Sequence, residues 1–212
     1  MSSTRPRVAV LDYGSGNLRS AQRALQRVGA EVTVTADLAV CAAADGLVVP
    51  GVGAFAACAG ALESTGAGAM IGSRVTASAP VLGICVGMQV LFDSGHEHGI
   101  SAKGLGVLPG AVRRLRAERL PHMGWNTLRP ATSSKLFAGL DTYARCYFVH
   151  SYAPCDDDGA LGGTADSVTY TEHGEPFVAA VERGAVAATQ FHPEKSGDAG
   201  AVVLRNWLGT LR

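Results

Sequence analysis

The chain has 212 residues, 47% of them hydrophobic, and its 18 Lys and Arg balance 18 Asp and Glu to a formal net charge of zero. That length can bury a core without metal or disulfide staples, and the balanced charge excludes an overall field that would draw nucleic acid or an anionic membrane. Five cysteines, an odd number with no C-x-x-C spacing, argue against a disulfide framework and a zinc site and fit a reducing cytoplasm.

In chain order, Val8 to Leu11 reads as a buried strand, and Leu18, Ala21, Leu25 and Val28 mark one face of a helix that stops at Gly29. Glu31 to Thr35 alternates as a second strand. Leu47 to Val49 is a third, ended by Pro50-Gly51, and an alanine-rich helix follows from Phe55 to Leu62. Val81 to Ile84 is a fourth strand, with a helix expected over Val86 to Phe92. This alternation predicts an α/β fold, an open and mostly parallel sheet flanked by helices. Beyond about Gly104 the pattern changes to short alternating runs: Ala111 to Leu115, Trp125 to Leu128, Cys146 to Tyr152, Val168 to Thr171, and a hairpin from Phe177 to Gln190 about Glu182-Arg183-Gly184. These are expected to extend the same sheet in mixed or antiparallel fashion. A closing helix carries Leu204, Trp207, Leu208 and Leu211, and residues 1–212 are expected to form a single domain. Asp12 cuts the first apolar run too early for a signal segment. No later run approaches the roughly 18 to 20 apolar residues of a membrane helix, so a soluble, cytoplasmic protein with no membrane or nucleic-acid partner is expected.

The residues that carry chemistry sit where strands end. Gly83-Ile84-Cys85-Val86-Gly87 places a cysteine between two glycines as a strand gives way to a helix, the thiol form of a nucleophile elbow. At a helix's first turn the local dipole and free N–H groups lower a thiol's pKa and bind an oxyanion. Gln190-Phe191-His192-Pro193-Glu194-Lys195-Ser196 supplies a base and a carboxylate at another rim position, after a strand expected to end at Phe191. Pro50-Gly51-Val52-Gly53 can bring a second backbone N–H to the same rim. Other motifs have plainer explanations. Gly14-Ser15-Gly16-Asn17-Leu18-Arg19 lacks the last glycine of a dinucleotide loop and reads as a turn that starts a helix. His96-Glu97-His98 reads as a solvated loop, Arg113, Arg114, Arg116 and Arg119 as a strand's wet face, and Asp156-Asp157-Asp158 as a solvated loop. No metal or other cofactor is expected.

The segments around Cys85 and His192 resemble the two signatures of the class I, triad-type glutamine amidotransferases. Asp12 to Ser20, Pro50 to Phe55, Pro121-His122-Met123-Gly124-Trp125-Asn126 and Tyr147-Phe148-Val149-His150-Ser151-Tyr152 are further similar to the branch formed by the glutaminase subunits of imidazole glycerol phosphate synthases. The resemblance spans essentially the whole chain. It implies that Cys85 attacks the amide of L-glutamine, that His192 shuttles protons and that Glu194 fixes the histidine tautomer. By the same resemblance Val86 and the Val52 to Gly53 region hold the oxyanion. Gln89 and the backbone of His150, Ser151 and Tyr152 hold the amino acid end of glutamine. Asn17, Pro121, Met123, Trp125 and Lys195 face a (β/α)8 cyclase subunit in a heterodimer, which receives the ammonia for histidine biosynthesis. The rival intracellular peptidase-like hydrolases place a histidine directly after the elbow cysteine, where this chain has Val86.

Overall fold

The computed structural model describes residues 5–157 and 159–211; Asp158 of the expected acidic loop lies outside them. The first half is built from β1 (Arg7–Leu11), α1 (Leu18–Arg27), β2 (Glu31–Thr35), α2 (Leu38–Ala43), β3 (Gly46–Gly51), α3 (Phe55–Ser64), α4 (Ala67–Thr76), β4 (Val81–Cys85) and the single turn α5 (Val86–Gln89). Then come β5 (Phe92–Glu97), β6 (Ile100–Lys103), β7 (Leu108–Arg114), β8 (His122–Thr127), β9 (Arg145–His150) and β10 (Tyr152–Cys155). The chain closes with β11 (Ser167–His173), β12 (Glu175–Arg183), β13 (Val186–Thr189), a short 3-10 turn at Pro193–Lys195 and α6 (Gly197–Leu208).

The main sheet has seven strands in the order β11-β12-β13-β4-β3-β1-β2. Strands β13, β4, β3, β1 and β2 run parallel, and β11 and β12 add antiparallel to one side. β3 and β4 are buried along their whole length, as strands covered by helices on both faces must be, which is why they read as unbroken apolar runs. The antiparallel addition to the main sheet is as expected, but the remaining strands do not join it. β10, β7, β5 and β6 form a separate four-stranded sheet, and β8 with β9 an isolated ribbon. The helix expected over Val86 to Phe92 stops at Gln89, and Phe92 begins β5 instead. Leu91 and Phe92 are buried, so their apolar character marks core rather than helix. Helices α2 and α4 carry only weak periodicity in the sequence. The expected strand end at Phe191 falls at Thr189, and Gln190 and Phe191 run on, fully buried, to a single bridge between His192 and Tyr147.

Two of the four discounted motifs take other roles than expected. His96 and Glu97 lie in β5, and the Glu97 carboxylate accepts the Phe55 N–H at 2.7 Å, capping α3, whose own N-cap Ala54 has no side chain to do so. Arg113 is no solvated side chain: its guanidinium binds Glu175 at 2.7 Å and Asp157 at 2.9 Å, joining β7 to β12 and to the loop after β10. Those two bonds raise its pKa above the already high arginine value. Among the described residues no helix is long and apolar enough to cross a membrane.

Backbone packs closely against backbone beneath the turn after β4. A Cβ built on Gly87 would stand 1.9 Å from the Val49 carbonyl oxygen, and one on Gly83 would stand 2.8 Å from the Gly87 carbonyl. Gly87→Ala is therefore expected to cost about 3 kcal/mol or more of stability, the upper end of overpacking effects. Gly72→Ala in α4, where an added Cβ meets nothing within 4 Å, should instead gain about 0.5 to 1 kcal/mol. Denaturant midpoints of the two variants check the contrast.

Candidate active site

Strand β4 ends directly in Cys85, whose backbone sits at φ 57° and ψ −116°, a conformation that L residues rarely adopt and that costs roughly 1 to 3 kcal/mol. The sharp turn is possible because Gly83 and Gly87 let α5 lie backbone-to-backbone against β3 and β4. With α5 only four residues long, the dipole of a longer helix is missing; local N–H groups are what the turn offers. Neighbouring β13 runs parallel to β4, in register from Val186 against Val81 to Thr189 against Ile84, so the chain leaving β13 arrives beside the cysteine. Thus residues 105 apart meet: Gln190 Nε2 lies 3.7 Å from Cys85 Sγ.

His192 is 2% exposed and Cys85 4% exposed. His192 Nδ1 lies 2.7 Å from Glu194 Oε1, which leaves Nε2 as the nitrogen for the thiol. Burial opposes the imidazolium, but hydrogen bonding and charge at Cys85 and at Glu194 outweigh it and push the His192 pKa up to about 9. The histidine backbone is held as well, its N–H donating to the Tyr147 carbonyl at 2.9 Å and its carbonyl accepting from Ser196 Oγ at 2.6 Å.

These groups open onto a cavity of about 510 Å³, large enough for an amino acid. Val52, Gly53, Cys85, Val86, Gln89 and His192 line one side, and His150, Ser151, Tyr152, Pro121 and Lys195 the other. Gln89 is buried and spends its amide nitrogen on the Tyr152 carbonyl and Gln190 Oε1, both at 2.9 Å, which leaves its carbonyl oxygen as the acceptor for a ligand. The glycine-rich loop is held away from that use. Ser15 Oγ accepts the Val52 N–H at 3.0 Å and donates to the Val52 carbonyl at 2.9 Å, and the Tyr13 hydroxyl donates to the Pro50 carbonyl at 2.7 Å. Val52 and Gly53 therefore border the cavity with the Val52 N–H committed elsewhere.

Of the residues expected at a partner, Met123 and Trp125 are 66% and 53% exposed on the outer face of β8, and Pro121 and Lys195 are exposed at the cavity mouth. Trp125 packs edge-on to Tyr147, and the Lys195 ammonium stands 6.0 Å over the Tyr147 ring. Trp125 lies on a strand but is not a core residue. Asn17 is exposed, and its side chain accepts the Ser20 N–H at the start of α1. Sequence reasoning assigned no role to Gln190, although it opens the His192 segment, nor to Ser15 or His122. Each lies in a quoted segment, but only the folded distances show what it touches. Among the described residues no group of three or more His, Cys, Asp or Glu is placed to hold a metal ion.

The family model for glutamine amidotransferase class-I matches residues 9–210, nearly the entire chain. The chain belongs to the class I glutamine amidotransferases. Its relatives include the imidazole glycerol phosphate synthase subunit HisH of Corynebacterium diphtheriae, 61% identical, with 97% of this chain and 99% of that protein covered. The protein of the same name from Mycobacterium tuberculosis is 60% identical, with 98% and 100% covered. Among solved structures, that of PurLQS from Thermotoga maritima shares the fold, with a TM-score of 0.71, 20% identity and coverage of 99% and 100%.

The buried histidines give this amidotransferase a definite pH response. Desolvation, helped by the charge of His173, lowers the His122 pKa to about 4; desolvation and then the charge of His122 lower that of His150 to about 3. Both lie below the unfolded value of about 6.5, so the unfolded chain binds more protons in acid. Their contribution is intact above pH ~6.5 and is lost as the pH falls toward their folded values. His192 has the opposite sign: its contribution is present below pH ~6.5 and is lost as the pH rises through about 9. Unfolding free energy measured against pH should fall on both sides, by on the order of 1 kcal/mol per unit per group. His122→Phe should flatten the acid limb and Glu194→Gln the alkaline one.

Proposed function

We propose that this protein is the glutaminase subunit of an imidazole glycerol phosphate synthase, hydrolysing L-glutamine and passing ammonia to a (β/α)8 cyclase subunit in a cytoplasmic heterodimer. In this reading residues 1–212 act as one amidotransferase domain. The observation that carries the reading is the meeting of the strained Cys85 turn with the His192–Glu194 pair on one rim of a cavity of amino acid size.

The chemistry follows from the order of contacts. His192 Nε2 takes the thiol proton, and Cys85 Sγ attacks the γ-amide carbon of glutamine. The tetrahedral intermediate collapses when His192 returns the proton to the amide nitrogen. Ammonia leaves and a γ-glutamyl thioester remains. His192 then takes a proton from water, the resulting hydroxide attacks the thioester carbon, and glutamate departs as the proton returns to sulfur. Glu194 holds Nδ1–H throughout, so Nε2 is the nitrogen that exchanges protons. Gln89 Oε1 accepts from the substrate's ammonium group, while the backbone of His150, Ser151 and Tyr152 borders its carboxylate end.

Val86 N–H supplies one oxyanion donor in this reading, and the Val52 to Gly53 loop supplies the other. Because Ser15 occupies the Val52 N–H, the loop must turn before that donor serves. Docking of the cyclase against Asn17, Pro121, Met123, Trp125 and Lys195, beside the same cavity, provides the occasion. The exposed Met123 and Trp125 are the residue types that anchor interfaces, and the ammonia made next to them needs a short covered path to its consumer.

Two measurements test this. Cys85→Ala should fold and co-purify with the cyclase yet release no glutamate; near-normal turnover in that variant would remove the nucleophile assignment. Glutamate formation by the unaltered protein should rise by about 100-fold or more when cyclase and its nucleotide ligand are added, the worth of one oxyanion donor. Equal rates with and without them would overturn the docking-dependent loop.

A further inference from the structure

Strand β8 presents different residues on its two faces. Met123 and Trp125 lie in solvent, whereas His122 is buried and pairs in register with His150 of β9. His122 takes no part in the reaction just described, yet both of its ring nitrogens are engaged. His150 Nδ1 lies 3.0 Å from the Tyr152 carbonyl oxygen, which can only accept, so Nδ1 carries the His150 proton and Nε2 is a bare acceptor. His122 Nδ1, 3.1 Å from that acceptor, must donate to it. His122 Nε2 is then the acceptor for Asn126 Nδ2 at 3.3 Å. Asn126 is itself oriented by the backbone: its Oδ1 accepts the Thr127 N–H and its Nδ2 donates to the Glu172 carbonyl, both at 2.9 Å. Backbone groups at the two ends thus determine the direction of every bond between them.

The inner end of this chain enters the catalytic cavity. The Tyr152 carbonyl that accepts from His150 also accepts from Gln89 Nε2, Gln89 Nε2 donates to Gln190 Oε1, and Gln190 Nε2 reaches the Cys85 sulfur. We infer that His122 is a positioning residue for glutamine: it locks the tautomer of His150 and, through the Tyr152 carbonyl and Gln89, sets the pocket from the strand that also carries Met123 and Trp125. This rests on the reading of the cavity as a glutamine site. Without the His122 Nδ1–H, His150 Nε2 is a buried acceptor with no partner. The ring relieves that by turning, and its bond to the Tyr152 carbonyl is lost. The turn at 150–152 then keeps only Gln89 to hold that carbonyl, and the acceptor that Gln89 offers to substrate shifts with it. Because His122 stacks on His173 at 4.3 Å and on Phe148 at 4.8 Å, its ring also fills space, so packing and hydrogen bonding must be tested apart.

Two substitutions separate them. His122→Phe keeps the stack and removes the donor. His122→Asn loses the stack but puts an amide nitrogen near the position of Nδ1. Each is made in the full chain, complexed with the cyclase, and glutaminase kinetics are measured; each is also made in a Cys85→Ala background, where glutamine binding is read by calorimetry. For His122→Phe, KM and Kd for glutamine should rise about tenfold with kcat within about twofold, the mark of one buried polar group left unpaired away from the reacting atoms. His122→Asn should be the less stable variant but keep KM near the parent value. KM that follows stability, with Asn worse than Phe, would mean a packing role only and overturn the inference. Unchanged Kd in His122→Phe would overturn it too, leaving the glutaminase reading intact. Failure of the Cys85→Ala parent itself to bind glutamine would strike down the site reading and this inference together.

Discussion

The active site depends on one close approach, the backbone of the turn after β4 laid against the backbone of β3. A carbonyl at Val49 occupies the space where any side chain at position 87 would begin, and Gly83 leaves the matching space beneath. Only with these two positions empty can α5 press down far enough to throw Cys85 into its strained conformation with the sulfur at the rim. The strain is borne by strands β3 and β4, which are buried throughout and cannot relax without exposing the centre of the core. The Cys85 thiol is thus presented by strands that are buried along their whole length.

The remaining groups are supplied by more peripheral pieces. The base reaches the thiol because β13 is the parallel neighbour of β4, so the end of one strand delivers His192 to the end of the other. The far wall of the cavity comes from the β8–β9 ribbon, which belongs to neither sheet, and from the start of β10, the edge strand of the four-stranded sheet. That wall is anchored in the same core as the sheet, through Phe148 against Phe177 and Phe191, while hydrogen bonds orient its cavity-facing groups. Gln89 and Gln190 are the link between the two, buried amides that satisfy each other and leave one carbonyl oxygen toward the cavity.

Much of this was legible in the sequence because the signals were local. Strands β1, β3 and β4 showed as apolar runs and β2 as an alternating one, the elbow as glycine spacing, and the His192 segment as a strand end followed by proline. The parts that were not legible depend on distance. Leu91 and Phe92 are as apolar as a helix face requires, but they are buried by another sheet, so a helix of one turn resembled a longer one. Arg113 looked solvated because its partners Glu175 and Asp157 lie 62 and 44 residues away. His96-Glu97-His98 looked like a loop because Gly95 and Gly99 flank it, whereas Gly95 is small so that the Phe55 ring can cross the strand. Ser15 gave no hint of its hold on Val52, since a serine in a turn is commonplace until the loop it touches is known.

The backbone of Tyr147 has a further consequence. Its carbonyl accepts the His192 N–H, its own N–H goes to Ser196, and its ring stands on the outside of the ribbon between Trp125 and Lys195. His192 and the exposed aromatic patch are thus held by the two sides of a single residue. In the proposed reading, any change at residue 147 that alters how the patch meets another protein also alters how His192 is held.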